Sequence, residues 1–169
     1  MKGQLWNGSA VRLFRFVLKK PSLMIPSMTV SSIKNINFED LQRNKFKVLV
    51  FDKDNTLTAP YSSSFYSKEI EYSISKAKEV FGNDNIGIFS NTLGFVDTTS
   101  SFNGISVIQH QEIQKPDGMK QVLSHFQDKG IEIKPNQIVM IGDRYLTDIV
   151  FGNINGMYTI YTHPLTSKG

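Results

Sequence analysis

From residue 47 onward the chain alternates between two kinds of pattern, and this alternation limits what it can fold into. "KVLVFD", "NIGIFSN", "ISVIQH", "QIVMIGD" and "YTIYTH" are short apolar runs that read as strands. Between them lie segments of helical period. "SKEIEYSISKAKEVFG" spaces Ile70, Ile74, Ala77 and Phe81 along one face and stops at Gly82. "PDGMKQVLSHFQDKG" ends at Gly130, and "YLTDIVFGNING" follows the fourth run. Strands alternating with helices predict an α/β domain, a doubly wound, mainly parallel sheet with helices on both faces. At 169 residues the chain suits one such domain. Cysteine is absent, which excludes disulfides, thiolate metal sites and cysteine nucleophiles. Any metal would be held by oxygen or histidine.

The charge is split along the chain. Residues 1–38 carry Lys2, Arg12, Arg15, Lys19, Lys20 and Lys34 and no acid, while the remainder is mildly acidic, for a net charge of +4. Trp6, Ala10, Leu13, Phe14, Val17 and Leu18 recur at helical spacing, with Arg12, Arg15 and Lys19 on the other side. This predicts an amphipathic helix suited to an anionic lipid surface. A cleaved transit peptide and a helix packed on the sheet are the other readings. Pro21 and Pro26 in "KKPSLMIPSM" stop the helix and call for an extended path. "NFEDLQRN" fits a short helix. No apolar run is long enough to span a bilayer, and Arg12 and Arg15 interrupt the one candidate for a secretory signal core. The division expected is a basic, membrane-associating segment over 1–38 and a catalytic domain over 39–169.

Polar groups gather where the strands end. Asp52 and Asp54 follow the first run, Ser90 the second, Lys115 precedes the second helix, and Asp143 ends the fourth run. Open α/β sheets place their sites at this carboxyl edge. Asp52 or Asp54 alone would suit a strand-end turn or a helix cap. Partners at three other strand ends argue for one shared crevice. Crowded carboxylates stay ionised beside a cation, and without thiols a hard ion such as Mg²⁺ fits best. Ser90 and Lys115 suit phosphate oxygens. A carboxylate near Mg²⁺ can attack phosphorus, and a second can pass a proton to the leaving oxygen. His110, His125 and His163 lack metal-ligand spacing and read as structural or rim residues.

"FDKDNTLT", "IFSN", "QKP" and "GDRYLTD" resemble, in order and strand context, the four motifs of the haloacid dehalogenase superfamily of phosphatases. The resemblance implies Asp52 as nucleophile and metal ligand. It implies Asp54 as general acid/base, with its main-chain carbonyl on the metal, and Asp143 as the remaining acidic ligand. Thr56, which steadies the motif's turn, joins Ser90, Asn91, Lys115 and Arg144 as the candidate phosphate-binding set. For Arg144 a surface salt bridge is an equal reading. Asp148 would act behind the ligands, orienting water or Lys115.

Members of that superfamily often carry a cap domain. Here 27 residues separate Thr58 from Ile86 and 23 separate Asn91 from Lys115, too few for a cap at either place. An open site suits a large or surface-tethered substrate. Together with "DKDNTLTAPY", "GDRYLTDI" and "KPSLMIPSMTVSSI", the chain is similar to the phosphatidylglycerophosphate phosphatases of mitochondria, plastids and bacteria. Gln114 departs from that pattern, where a basic residue is expected beside Lys115. The resemblance implies removal of the terminal phosphate of an anionic phospholipid, on the way to cardiolipin, at the matrix side of the mitochondrial inner membrane. A plastid or the bacterial cytoplasm is the alternative location, and no nucleic-acid partner is expected. Three rivals remain: a soluble sugar- or nucleotide-phosphate phosphatase, a receiver-like signalling domain that accepts a phosphoryl group without turning it over, and a non-catalytic membrane-binding module, disfavoured because every catalytic position is filled.

Overall fold

The chain forms one sheet with apolar packing on both faces. It is described here by a computed structural model over residues 17–91, 100–110, 115 and 117–166. The strands are β1 (Met28–Val30), β2 (Val48–Phe51), β3 (Ile86–Ile88), β4 (Ser101–Phe102), β5 (Ile105–Val107), β6 (Ile138–Gly142) and β7 (Tyr158–Thr162). Their order across the sheet is β1-β7-β6-β2-β3-β5-β4, and every pairing is parallel except β4 with β5. This is the mainly parallel α/β sheet the alternation predicts.

Successive side chains of a strand point to opposite faces, so the unbroken apolar runs feed two cores. Leu49 and Phe51 of β2 and Val139 and Ile141 of β6 face one side, with Ile70, Ile74, Ala77 and Phe81 of α2 (Lys68–Phe81) and with Phe38 and Leu41 of α1 (Phe38–Arg43). Val48, Val50, Ile138 and Met140 face the other, with Val122 and Phe126 of α3 (Met119–Gln127) and Phe151 of α4 (Val150–Ile154). Ser67 caps α2 by accepting a hydrogen bond from the Ile70 amide at 3.4 Å, and Gly82, at φ +83°, ends it.

Two strands have no counterpart in the sequence reading. β1 and β4 are three and two residues long and lie at the two edges of the sheet, where a strand needs little apolar sequence. The path after Lys20 also differs from the extended one expected. Pro21 opens a single 3₁₀ turn, Pro21–Met24, at the position where a proline's missing amide costs nothing, and the chain extends again at Ile25, ahead of Pro26.

The described part of the basic N-terminal segment packs on the domain. Val17 and Leu23 bury against Val150, and the Asn153 side-chain amide donates to the carbonyls of Leu23 (2.8 Å) and Ile25 (2.9 Å). Ile33 and Ile36 enter the larger core. Of the expected amphipathic helix, residues 17–19 are helical, and Trp6, Ala10, Leu13 and Phe14 lie outside the described residues, as does Gln114.

Asn153→Ala removes both tethers. We expect it to speed trypsin cleavage after Lys19 several-fold and to lower stability in urea by roughly 1–3 kcal/mol. Unchanged cleavage would show that the packing of Val17 and Leu23 on Val150 holds this end of the segment without the two hydrogen bonds.

Candidate active site

The carboxyl ends of β2, β3 and β6 open on one small pocket, about 20 Å³, lined by Asp52, Asp54, Ser90, Asn91, Lys115, Arg144 and Thr147. The larger surface hollows, of about 620 and 730 Å³, are lined by none of these residues.

Lys115 organises the pocket. Its side chain is only 1 % exposed, and its ammonium donates to Asp52 Oδ1 at 2.8 Å and to Asp148 Oδ1. Considered alone, Lys115 reads as a solvated helix-start residue. Burial is tolerable because two carboxylates share the charge. Burial by itself would lower the lysine's pKa, but Asp148 and Asp52 outweigh it and hold the ammonium above its ordinary value.

Asp148 comes from a turn of unusual pitch. Over Tyr145–Ile149 the helix begins with π geometry, the Ile149 amide reaching back to the Arg144 carbonyl, before α4 continues it. Such turns recur at functional sites. Asp148 is fully buried, and its Oδ2 accepts from the Arg144 amide at 3.1 Å. Gly142 lies directly beneath, where a Cβ would overlap this carboxylate. The glycine of "GD" is therefore a matter of close approach.

Asp143 completes an acidic trio. Carboxylate oxygens of Asp52, Asp143 and Asp148, one from each, all lie within 4.8 Å of one another. Asp143 Oδ1 is buried and has no hydrogen-bond partner. Burial, reinforced by Asp148 and Asp52, pushes Asp143 up to about 7, with Arg144 opposing. Burial likewise raises Asp52 to about 6; Lys115 pulls it down, and Asp148 pushes it up. An oxygen-only set with an orphaned buried oxygen and a surplus of negative charge fits a hard divalent cation.

Asp54 stands apart from this trio. It lines the pocket, but its Oδ1 accepts from Lys53 Nζ (2.8 Å), the Tyr61 amide (3.3 Å) and Thr58 Oγ1 (3.4 Å). Ser90 and Asn91 line the opposite wall. His110 Nε2 meets the Ser90 carbonyl at 2.8 Å, so that nitrogen carries the proton, and Asn91 Oδ1 accepts from the Lys115 amide at 3.1 Å. Thr56 is buried in the turn below and does not line the pocket. Asn55 holds that turn in a left-handed conformation (φ +61°), and its side-chain oxygen accepts from Thr166 Oγ1 at 2.7 Å.

Sequence reasoning missed Lys53, Thr58 and Thr147. Thr147 sits inside "GDRYLTD" and comes to the wall through the π turn. For Lys53 the available signal was a cation set between two aspartates at the end of a buried strand.

An α/β sheet that brings these four ordered motifs to one carboxyl edge defines a core of the haloacid dehalogenase type. Within that class the family described as mitochondrial PGP phosphatase matches residues 9–166, and the chain belongs to it. The chain is 38 % identical over 160 residues to "Phosphatidylglycerophosphate phosphatase 1, chloroplastic/mitochondrial" of Arabidopsis thaliana, covering 89 % of this chain and 44 % of that protein. It is 31 % identical over 176 residues to "Phosphatidylglycerophosphate phosphatase 1, chloroplastic" of Chlamydomonas reinhardtii, covering 98 % and 63 %. "Probable phosphatidylglycerophosphatase, mitochondrial" of Schizosaccharomyces pombe is 27 % identical over 174 residues, covering 93 % and 82 %. The chain thus spans less than two thirds of the length of the plant and algal relatives. No solved structure gives a significant match.

The raised carboxyl values have a signed consequence. Their ordinary value is near 4, so the contribution of Asp52 and Asp143 to stability is present at low pH and lost as pH rises through about 6 and 7. A bound cation reverses this by favouring the ionised forms. The rise in Tm produced by Mg²⁺ should therefore be larger at pH 8 than at pH 5.5. An equal or smaller rise at pH 8 would show that the cation does not bind these oxygens.

Proposed function

We propose that this chain is a Mg²⁺-dependent phosphatase that removes the terminal phosphate from phosphatidylglycerophosphate at a membrane surface, through an aspartyl phosphate on Asp52. The observation that carries the reading is the Lys115 ammonium bridging Asp52 and Asp148 at the base of the pocket. A carboxylate oriented by a fixed cation is suited to in-line attack on a phosphate that the same cation binds. The names of the relatives supply the substrate class.

Asp52, Asp143 and the main-chain carbonyl of Asp54 are the groups that would hold Mg²⁺, which when bound supplies positive charge for the phosphate oxygens. Ser90 and Lys115 clamp those oxygens, with Asn91 at the wall and Arg144 at the rim. An Asp52 oxygen attacks phosphorus as the bond to the glycerol oxygen breaks, and Asp54 gives that oxygen its proton. Asp54 then takes a proton from water as the water attacks the phosphoryl group, freeing inorganic phosphate and Asp52. Asp148 holds Lys115 in place throughout.

The membrane half of the reading rests on the charge split and on the described end of the N-terminal segment. Leu18 is 64 % exposed, with Lys19 and Lys20 exposed beside it, while Val17 and Leu23 anchor the segment near the π turn of the site. An exposed leucine flanked by cations suits an anionic interface. Among the described residues no helix is long and apolar enough to cross a membrane, so the attachment would be peripheral. The names of the plant and fission-yeast relatives favour an organelle, and we place the chain at the matrix side of the mitochondrial inner membrane, with a plastid or the bacterial cytoplasm as the alternative.

The test is phosphate release from vesicles containing phosphatidylglycerophosphate, set against soluble phosphomonoesters. We expect at least a tenfold higher kcat/KM on the vesicles, and loss of activity with chelator. Asp52→Asn should lower the rate by a thousandfold or more, equivalent to about 4 kcal/mol in the barrier. A preference for soluble esters would instead favour a sugar- or nucleotide-phosphate substrate.

A further inference from the structure

Lys53 lies between the two catalytic aspartates and has no part in the mechanism above. Its side chain is 6 % exposed. A buried ammonium is costly unless it is paired and hydrogen-bonded, so the pairing it makes shows what holds it there. Its Nζ lies 2.8 Å from Asp54 Oδ1 and 3.2 Å from Thr58 Oγ1, and 5.5 Å from the centre of the Phe102 ring. Phe102, on the short antiparallel β4, covers the lysine and itself packs edge-on against Phe65 at 5.5 Å.

The same carboxylate oxygen of Asp54 also accepts from Thr58 Oγ1 and the Tyr61 amide. Three donors converge on Oδ1: Lys53, immediately before Asp54, and Thr58 and Tyr61 from the turn and loop that follow it. An aspartate has few torsions, and fixing one oxygen from behind fixes how the carboxyl group faces the pocket. We propose that Lys53, steadied by Thr58 and seated against Phe102, is a positioning residue that aims the Asp54 carboxyl group at the leaving oxygen of the substrate. This rests on the role given to Asp54 above and adds the residue that makes it geometrically effective. The edge hairpin β4–β5 thereby contributes to the site through Phe102.

A mis-aimed proton donor leaves a signature that general structural damage does not. An alkyl phosphate, whose leaving alkoxide must be protonated, depends on Asp54 during phosphoryl transfer. p-Nitrophenyl phosphate does not, because nitrophenolate leaves unprotonated. General acid catalysis is typically worth 10²–10⁴. The experiment is kcat/KM, which reports the steps through phosphoryl transfer, for glycerol phosphate and for p-nitrophenyl phosphate in the full chain and in Lys53→Met, Thr58→Val and Asp54→Asn. Melting curves check the fold of each.

Lys53→Met should lower the alkyl ester about 100-fold or more and the aryl ester about tenfold or less. Asp54→Asn should lean the same way, and Thr58→Val should change the ratio roughly threefold. Equal losses on both esters in folded Lys53→Met overturn the proposal. If Lys53→Met does not fold, equal losses in Thr58→Val overturn it. If Asp54→Asn itself shows no leaving-group dependence, the role of Asp54 falls first, and the Lys53 proposal with it.

Discussion

The buried Lys115 ammonium holds the carboxyl edge of this sheet together. Lys115 comes from the loop before α3, Asp52 from the end of β2 and Asp148 from the turn after β6, and they meet where water is nearly excluded. Each alone would be expensive to bury; together they offset one another. The neighbouring features follow from this contact. Gly142 leaves room for Asp148, the π turn swings Asp148 inward, and Asn91 fastens the main chain of Lys115. The trio holds two carboxylates more than the single lysine can neutralise; burial and that surplus raise Asp143 and make the site receptive to a cation.

Among the described residues, short connections surround this centre. The connection between β2 and α2 is a compact turn and a short loop, with Asn55 bound to Thr166 from the C-terminal end of the chain. The π turn carries the exposed Tyr145 and Leu146, Tyr145 stacked on Tyr161 at 4.2 Å. Pro21–Met24 packs against that same turn, so the basic segment is seated beside the pocket rather than across the molecule.

Much of this was legible in the sequence because strand and helix periods differ so plainly after residue 47. The apolar runs became β2, β3, β5, β6 and β7, and the helical stretches became α2, α3 and α4. The motif residues Asp52, Asp54, Ser90, Asn91, Lys115 and Arg144 meet at one pocket. What was not legible has a common cause. β1 and β4 are defined by pairing rather than by pattern, since edge strands of two or three residues carry little periodicity. The burial of Lys115 depends on Asp148, 33 positions away in the chain. Lys53, paired with its neighbour Asp54, also lies against a ring on β4. A charge inside a protein is explained by its partners, and sequence order does not reveal partners.

The central claim is that Asp52 receives the phosphoryl group. It is tested most directly by rapid acid quench during turnover of substrate labelled in its terminal phosphate, followed by peptide mapping. The account predicts acid-stable, alkali-labile label on the peptide containing Asp52, formed within one turnover, chased by unlabelled substrate and absent from Asp52→Asn. Turnover with no protein-bound label, together with inversion at phosphorus on a chiral phosphate ester, would show direct attack by water and contradict it.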